Sequence, residues 1–281
     1  MAFTTLISTT ELATHLGDPN WVIIDCRFSL ADTEEGRRDY LQSHIPGAHY
    51  AHLDDDLSGK IIPGTTGRHP LPTVEAAADQ FSTWGIDEQV QVVVYDDKGG
   101  GIAARLWWML RWLGHEKVAV LNGGWPTWLK AGLPTSAELP SISSKNFQAK
   151  ERVDLPINRD RVEAIRNDDR YWLIDARAAP RYRGEEEPID PIAGHIPGAI
   201  NLPFADNLNT DGTMKNPEAL RERFLAVQSS GKVEGAERAA HTVFYCGSGV
   251  TACHDILAYE YAGLGEAKLY PGSWSEWITK L

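Results

Sequence analysis

One pattern occurs twice in this chain. Trp21-Val-Ile-Ile-Asp25-Cys-Arg27 returns as Tyr171-Trp-Leu-Ile-Asp175-Ala-Arg177, and His44-Ile-Pro-Gly-Ala48 returns as His195-Ile-Pro-Gly-Ala199. Gly123-Gly-Trp-Pro-Thr-Trp128 is echoed by Gly272-Ser-Trp-Ser-Glu-Trp277. The three anchors keep their order and lie about 150 residues apart, which marks a duplicated domain. A length of 281 residues suits two domains of ordinary size. The junction is expected between Pro134 and Leu155, where prolines flank a Ser-rich stretch without apolar periodicity. That gives domains at 1–135 and 156–281 joined by a linker at 136–155.

Each copy carries short apolar runs suited to buried strands, VIID and VVVYD in the first, WLID and TVFYC in the second. Helical spacing follows at Thr10 to Leu16 with a threonine cap, Arg105 to Leu113, Pro217 to Val227 and Thr251 to Tyr261. Strands interleaved with helices predict an α/β fold, a mostly parallel sheet with helices on both faces in each copy. In such sheets the ligand crevice lies beyond the C-terminal strand ends, so the segments after VVVYD and TVFYC become the two candidate sites. The net charge of −12 excludes a nucleic-acid backbone or an anionic membrane as main partner, because both require an excess of Lys and Arg. No apolar run approaches the length of a membrane span, and the first residues lack the basic and apolar regions of a secretory signal. Three cysteines without a C-x-x-C pair fit free thiols in a reducing compartment, so a cytoplasmic setting is expected.

The copies differ where chemistry is expected. After Tyr95 the first reads Asp96-Asp-Lys-Gly-Gly-Gly-Ile-Ala-Ala104, and after Tyr245 the second reads Cys246-Gly-Ser-Gly-Val-Thr-Ala252. Aligned on the tyrosine and on the following helix, the first loop is longer and has Asp where the second has Cys. A cysteine that ends a strand before a short Gly-containing loop and a helix sits beside unpaired backbone N–H groups and the positive end of a helix dipole. Both favour thiolate over thiol. Gly247 and Gly249 let the loop 247–251, including Val250 and Thr251, curl its amides around one anion. Cys246 is therefore the candidate nucleophile, whereas Cys26, replaced by Ala176 in the second copy, reads as core and Cys253 falls early in a helix.

The duplicated D-x-R and H-I-P-G-A elements, the loop CGSGVTA at 246–252 and the C-terminal AKLYPGSWSEW at 267–277 together resemble the tandem-domain rhodanese-type sulfurtransferases over nearly the whole chain. The resemblance implies two rhodanese-like domains, a non-catalytic first and a catalytic second, and a cysteine persulfide intermediate. The loop C-G-S-G-V-T resembles the 3-mercaptopyruvate branch, since thiosulfate-preferring members carry basic residues just after the cysteine. The implied partners are a small-molecule sulfur donor, 3-mercaptopyruvate or thiosulfate, and a thiol or cyanide acceptor, with no cofactor. Ser248 is placed to supply a proton to the enolate leaving group. Arg181 matches the first of the branch's two substrate-binding arginines, with Arg183 a second candidate in the same loop. The other family arginine falls at Ile189, which predicts weaker donor binding. The branch also uses a first-domain histidine to assist the loop serine; His44 could fill that role, although its place before Ile-Pro-Gly, shared by His195, favours a turn-stabilising one.

The remaining signals have plainer readings. Asp25, Arg27, Asp175 and Arg177 recur in both copies, including the one without a nucleophile, and predict internal ion pairs. His44, His49 and His52 have no second-copy equivalents beyond His195 and no accompanying ligand, so no metal is expected. Trp107, Trp108, Trp112, Trp125 and Trp128 read as interior or interface packing. Cysteine phosphatases need an arginine six residues after the nucleophile, and position 252 is Ala. A non-catalytic, sulfur-carrying or interaction module is the remaining alternative, opposed by the retained Cys246 and its glycines.

Overall fold

The apolar runs read from the sequence lie at the centre of two parallel sheets in this computed structural model, which describes residues 2–141, 143–228, 233–235 and 237–281. Ile142, within the expected linker, lies outside the described residues. Strands β1 (Leu6–Ile7), β2 (Trp21–Asp25), β3 (His49–Tyr50), β4 (Gln91–Tyr95) and β5 (Val118–Leu121) form the first sheet, ordered β1-β5-β4-β2-β3. Strands β6 (Trp172–Asp175), β7 (Ile200–Asn201), β8 (Thr242–Tyr245) and β9 (Lys268–Leu269) form the second, ordered β7-β6-β8-β9. Every neighbouring pair is parallel. The register repeats with the sequence, placing Asp25 beside Tyr95 and Asp175 beside Tyr245. Strands β4 and β8 are buried along their full length, as the unbroken apolar runs require when both faces are covered.

Contacts group the chain into two compact units. The first comprises Met1–Gly59, Leu71–Arg152 and Thr210–Thr213, the second Lys60–Pro70, Val153–Asn209 and Met214–Leu281. Lys60–Pro70, although it lies in the first sequence repeat, thus belongs to the second unit.

The first unit's core gathers Ile23, Val93, Tyr95, Ala119, Trp125 and Trp128, and the second unit's gathers Leu173, Val243, Tyr245, Tyr270, Trp274 and Trp277. The helix Ala103–Trp112 is buried at every residue, which accounts for Trp107, Trp108 and Trp112 as interior packing. The helices Pro217–Val227 and Ala252–Tyr261 lie where the spacing places them. The first helix begins slightly earlier than its threonines suggest, at Thr9–Ala13, because Ser8 Oγ accepts the Glu11 N–H as the cap.

The repeated D-x-R element proves to be an internal ion pair in each unit. Arg27 Nη2 donates to Asp25 Oδ2 at 2.6 Å while its guanidinium lies over the Trp125 ring, and Arg177 repeats this on Asp175 and Trp274. The tyrosine ending β4 or β8 joins the same network: its hydroxyl accepts the N–H of Ile45 or Ile196 in the H-I-P-G-A turn. The motif thus ties the strand end to the turn, which is why the copy without a cysteine retains it.

Candidate functional site

Cys246 is the first residue beyond β8. Its sulfur is nearly enclosed, with the residue 2% exposed, and accepts the Gly249 N–H at 3.2 Å. Gly249 reaches this position with φ +78°, and a Cβ there would stand 2.3 Å from the Pro271 carbonyl oxygen, so only glycine fits without displacement. The Trp274 N–H donates to the Cys246 carbonyl at 3.0 Å and the Ser275 N–H to the Gly247 carbonyl at 2.9 Å, fastening the loop to the segment after β9. Ser273 takes φ +53°, the one positive φ outside glycine among the described residues. Its hydroxyl accepts the Cys246 N–H at 3.1 Å and donates to the Tyr270 carbonyl at 2.9 Å. Such a disfavoured conformation persists only where the surroundings impose it, and here the serine bridges the Cys246 amide and the Tyr270 carbonyl.

The corresponding loop in the first unit shows what this backbone is built to hold. Asp96 Oδ1 accepts the N–H groups of Lys98 and Gly100, and Oδ2 those of Ile102 and Ala103, all at 2.7–2.8 Å. A strand end followed by a helix start therefore encloses an anion supplied by the chain itself, and no sulfur can be carried there.

The segment 60–70 brings further groups to the second unit's loop. His69 Nδ1 lies 2.7 Å from Ser248 Oγ, with both residues buried. The Arg68 N–H donates to Ser275 Oγ at 3.1 Å, and Arg68 Nη1 pairs with Asp190 Oδ1. Arg181 binds Glu187 through Nε and Nη2 and reaches Asp190 Oδ2 through Nη2 at 3.2 Å. Burial pushes the Arg68 guanidinium below its ordinary value, and the neighbouring Arg181 and Arg177 charges add to the effect. Within one unit the site thus combines an enclosed thiol, a serine–histidine pair, and two arginines balanced by two carboxylates.

The rhodanese-like domain model matches the chain twice, over residues 8–131 and 158–280. The chain belongs to the rhodanese family. It is 45% identical to a probable 3-mercaptopyruvate sulfurtransferase of Pseudomonas aeruginosa, over 99% of this chain and 96% of that protein. It is 36% identical to a thiosulfate sulfurtransferase of Bos taurus, over 93% of this chain and 86% of the relative. Among solved structures, the 3-mercaptopyruvate sulfurtransferase from Leishmania major superposes with a TM-score of 0.81 at 32% identity, covering 99% of this chain and 75% of that one.

The sequence-derived residues fall into distinct places in the chain. Cys246, Ser248, Gly247, Gly249 and Arg181 converge. The Val250 and Thr251 carbonyls accept the Cys253 and His254 N–H groups that open the helix Ala252–Tyr261, and Gly249 places its amide on the sulfur. His44 does not take the relay position. It is fully buried in the first unit, with Nδ1 against the Tyr40 carbonyl and Nε2 against that of Glu138, so both ring nitrogens serve the turn. His69 is the histidine on the serine. Arg183 points to Glu185 on the surface, and Ile189 is an exposed side chain. Burial pushes the Cys26 thiol well up, with the Asp25 and Asp96 carboxylates adding to the effect, which keeps it inert. Cys253 is buried and donates to the Gly249 carbonyl at 3.3 Å.

Sequence reasoning missed Arg68, His69 and Ser273. One signal for the first two was available: the stretch from His49–Tyr50 to the Thr73 cap is longer than the stretch from Ile200–Asn201 to the Asn216 cap, and the surplus includes Gly67-Arg-His-Pro70. For Ser273 the signal was its replacement of Gly124 in the repeated Gly-Gly-Trp turn.

Proposed function

We propose that this chain is a sulfurtransferase that takes the thiol sulfur of 3-mercaptopyruvate onto Cys246, where it becomes the outer sulfur of a persulfide, and passes it to a thiol. The reading is carried by the enclosed Cys246 sulfur on the Gly249 N–H with the Ser248–His69 pair in the same loop. The Cys246 thiolate attacks the donor sulfur; the new S–S bond forms as the carbon–sulfur bond breaks, and its electron pair leaves as the enolate of pyruvate. Protonation at carbon completes pyruvate. Ser248, backed by His69, is the group that delivers that proton, and the imidazole replaces it from the persulfide S–H or from solvent. An acceptor thiolate then attacks the outer sulfur, forming its own persulfide and restoring the Cys246 thiolate. The Gly249 amide stabilises the sulfur anion at both ends of this cycle. Three buried free cysteines fit a cytoplasmic setting.

Thiosulfate is the second reading, and one observation favours it: Arg68 and Arg181 supply positive charge beside a loop that has none in sequence. Asp190 and Glu187 pair with that charge, however, which reduces the excess positive charge that a doubly charged donor would draw on. Intact-mass measurement after incubation with 3-mercaptopyruvate should show one added sulfur, about 32 Da, on the protein and none on Cys246→Ser, as a covalent intermediate requires. A comparison of kcat/KM for the two donors with a common acceptor then separates the readings. Label on another cysteine would refute the nucleophile, and a better kcat/KM for thiosulfate would reverse the donor order. Absence of any adduct would leave a non-catalytic module.

A further inference from the structure

We infer that Arg68 is the second arm of the fork that grips the donor's carboxylate, in place of the arginine that Ile189 lacks. The inference rests on the 3-mercaptopyruvate reading above. Asp190 lies between the two guanidinium groups, with Oδ1 toward Arg68 Nη1 and Oδ2 toward Arg181 Nη2. Its side chain is only 2% exposed, so this clasp is shielded from solvent. Glu187 takes Arg181 Nε and Nη2. Arg68 Nη2 and Arg181 Nη1 take no part in these pairings, and both lie beside Gly247 in the nucleophile loop. A Cβ built on Gly247 would stand 2.9 Å from Arg68 Nη2, 3.6 Å from the paired Arg181 Nη2 and 3.7 Å from Arg181 Nη1. Two N–H-bearing nitrogens therefore converge over the residue after Cys246, the arrangement that matches two carboxylate oxygens.

The backbone holds Arg68 to that position. Ser275 accepts the Arg68 N–H on its hydroxyl while its own N–H holds the Gly247 carbonyl, so one residue sets the spacing between arginine and loop. A Cβ on Gly67 would stand 2.6 Å from the Gly272 carbonyl oxygen, which shows how closely this segment is applied. The Arg68 side chain remains 27% exposed and Arg181 17%, open enough for a small anion to reach them. Arg68 Nε is buried with no hydrogen-bond partner among the described residues, so the side chain is held by Asp190 and its stem rather than by a saturated network. Ile189 points elsewhere and uses only its backbone N–H, on Glu187. Donor specificity in the second unit is in this way set by a segment that the sequence assigns to the first repeat.

The test compares 3-mercaptopyruvate with mercaptoacetone, which keeps the thiol and ketone but lacks the carboxylate, in the unaltered chain and in Arg68→Ala and Arg68→Lys. The ratio of kcat/KM for the two donors should fall roughly ten- to a hundredfold in Arg68→Ala, the span of one charge-assisted hydrogen bond, with the change mainly in KM. Arg68→Lys, which keeps the charge and the stem but not the fork, should fall between alanine and wild type and also covers the case in which the alanine variant does not fold. An unchanged ratio in both variants, or equal losses for the two donors, would overturn the role of Arg68. Wild-type enzyme that ignores 3-mercaptopyruvate but accepts thiosulfate would remove the donor reading itself, and that outcome is visible before any variant is made.

Discussion

Replacing Gly249 by alanine strikes the amide that holds the sulfur without touching the nucleophile. Two costs follow from the structure. An L-residue at φ +78° carries about 1–2 kcal/mol of backbone strain. Its Cβ would meet the Pro271 carbonyl oxygen at 2.3 Å, so the loop or that carbonyl must give way by about 1 Å to regain ordinary contact. The loop is fastened on the far side by the Trp274 and Ser275 amides, which leaves residues 248–250 as the part that moves. A shift of that size stretches the Gly249 N–H···Sγ bond from 3.2 Å to about 4 Å, beyond useful hydrogen bonding. Losing a hydrogen bond to a charged acceptor costs about 1.5–3 kcal/mol, or roughly ten- to a hundredfold in the rate of persulfide formation. Strain and displacement together should lower stability by about 2–4 kcal/mol and the melting temperature by roughly 5–15 °C. Rapid-quench mass spectrometry of persulfide formation, alongside thermal melts, measures both. A variant that melts low but forms persulfide at the wild-type rate would show that the amide serves the fold and not the sulfur. Wild-type behaviour in both assays would refute the steric reasoning as well.

Three further outcomes are expected. His69→Asn should reduce the burst of pyruvate from 3-mercaptopyruvate by about 10²- to 10⁴-fold if His69 drives proton delivery through Ser248, and an unchanged burst amplitude and rate would refute that role. Asp96→Ala removes the acceptor of four enclosed amides and should destabilise the protein by at least about 3 kcal/mol in denaturant titration, whereas an unchanged midpoint would mean the loop relaxes freely. Burial pushes the Asp255 carboxyl up to about 7, against attraction from Arg223 and a hydrogen bond from Asn207, while Asp175 and Asp206 push it further up. The folded protein therefore holds a proton that the unfolded chain releases near its ordinary value, and this group's contribution to stability falls by about 1.4 kcal/mol per pH unit as pH rises from about 4 to about 7. Asp255→Asn should melt higher than wild type at pH 8 and lose that advantage at pH 4, and an equal difference at both values would refute the assignment.

Periodicity and repetition determined the architecture. VVVY and TVFY had to be interior strands because no other element buries an unbroken run of that length, and Asp25 and Asp175 had to be structural because the copy without a cysteine keeps its aspartate. Comparing the copies also marks Cys246 as the candidate nucleophile, and local chain geometry places it at a strand end against a helix start, with the Gly249 amide on its sulfur. What lay beyond the sequence was everything brought in from a distance. Arg68 and His69 sit more than a hundred residues from the loop they approach, and a sequence ranks histidines by motif while a fold ranks them by proximity, so His44 is the candidate visible in the sequence and His69 the one that lies against Ser248. The missing arginine at Ile189 was a true absence along the chain, yet the segment Lys60–Pro70 restores a guanidinium at the same loop. Chain order fixes which residues are available, whereas charge pairing and close packing over long sequence separations decide which of them share a few ångströms around the sulfur.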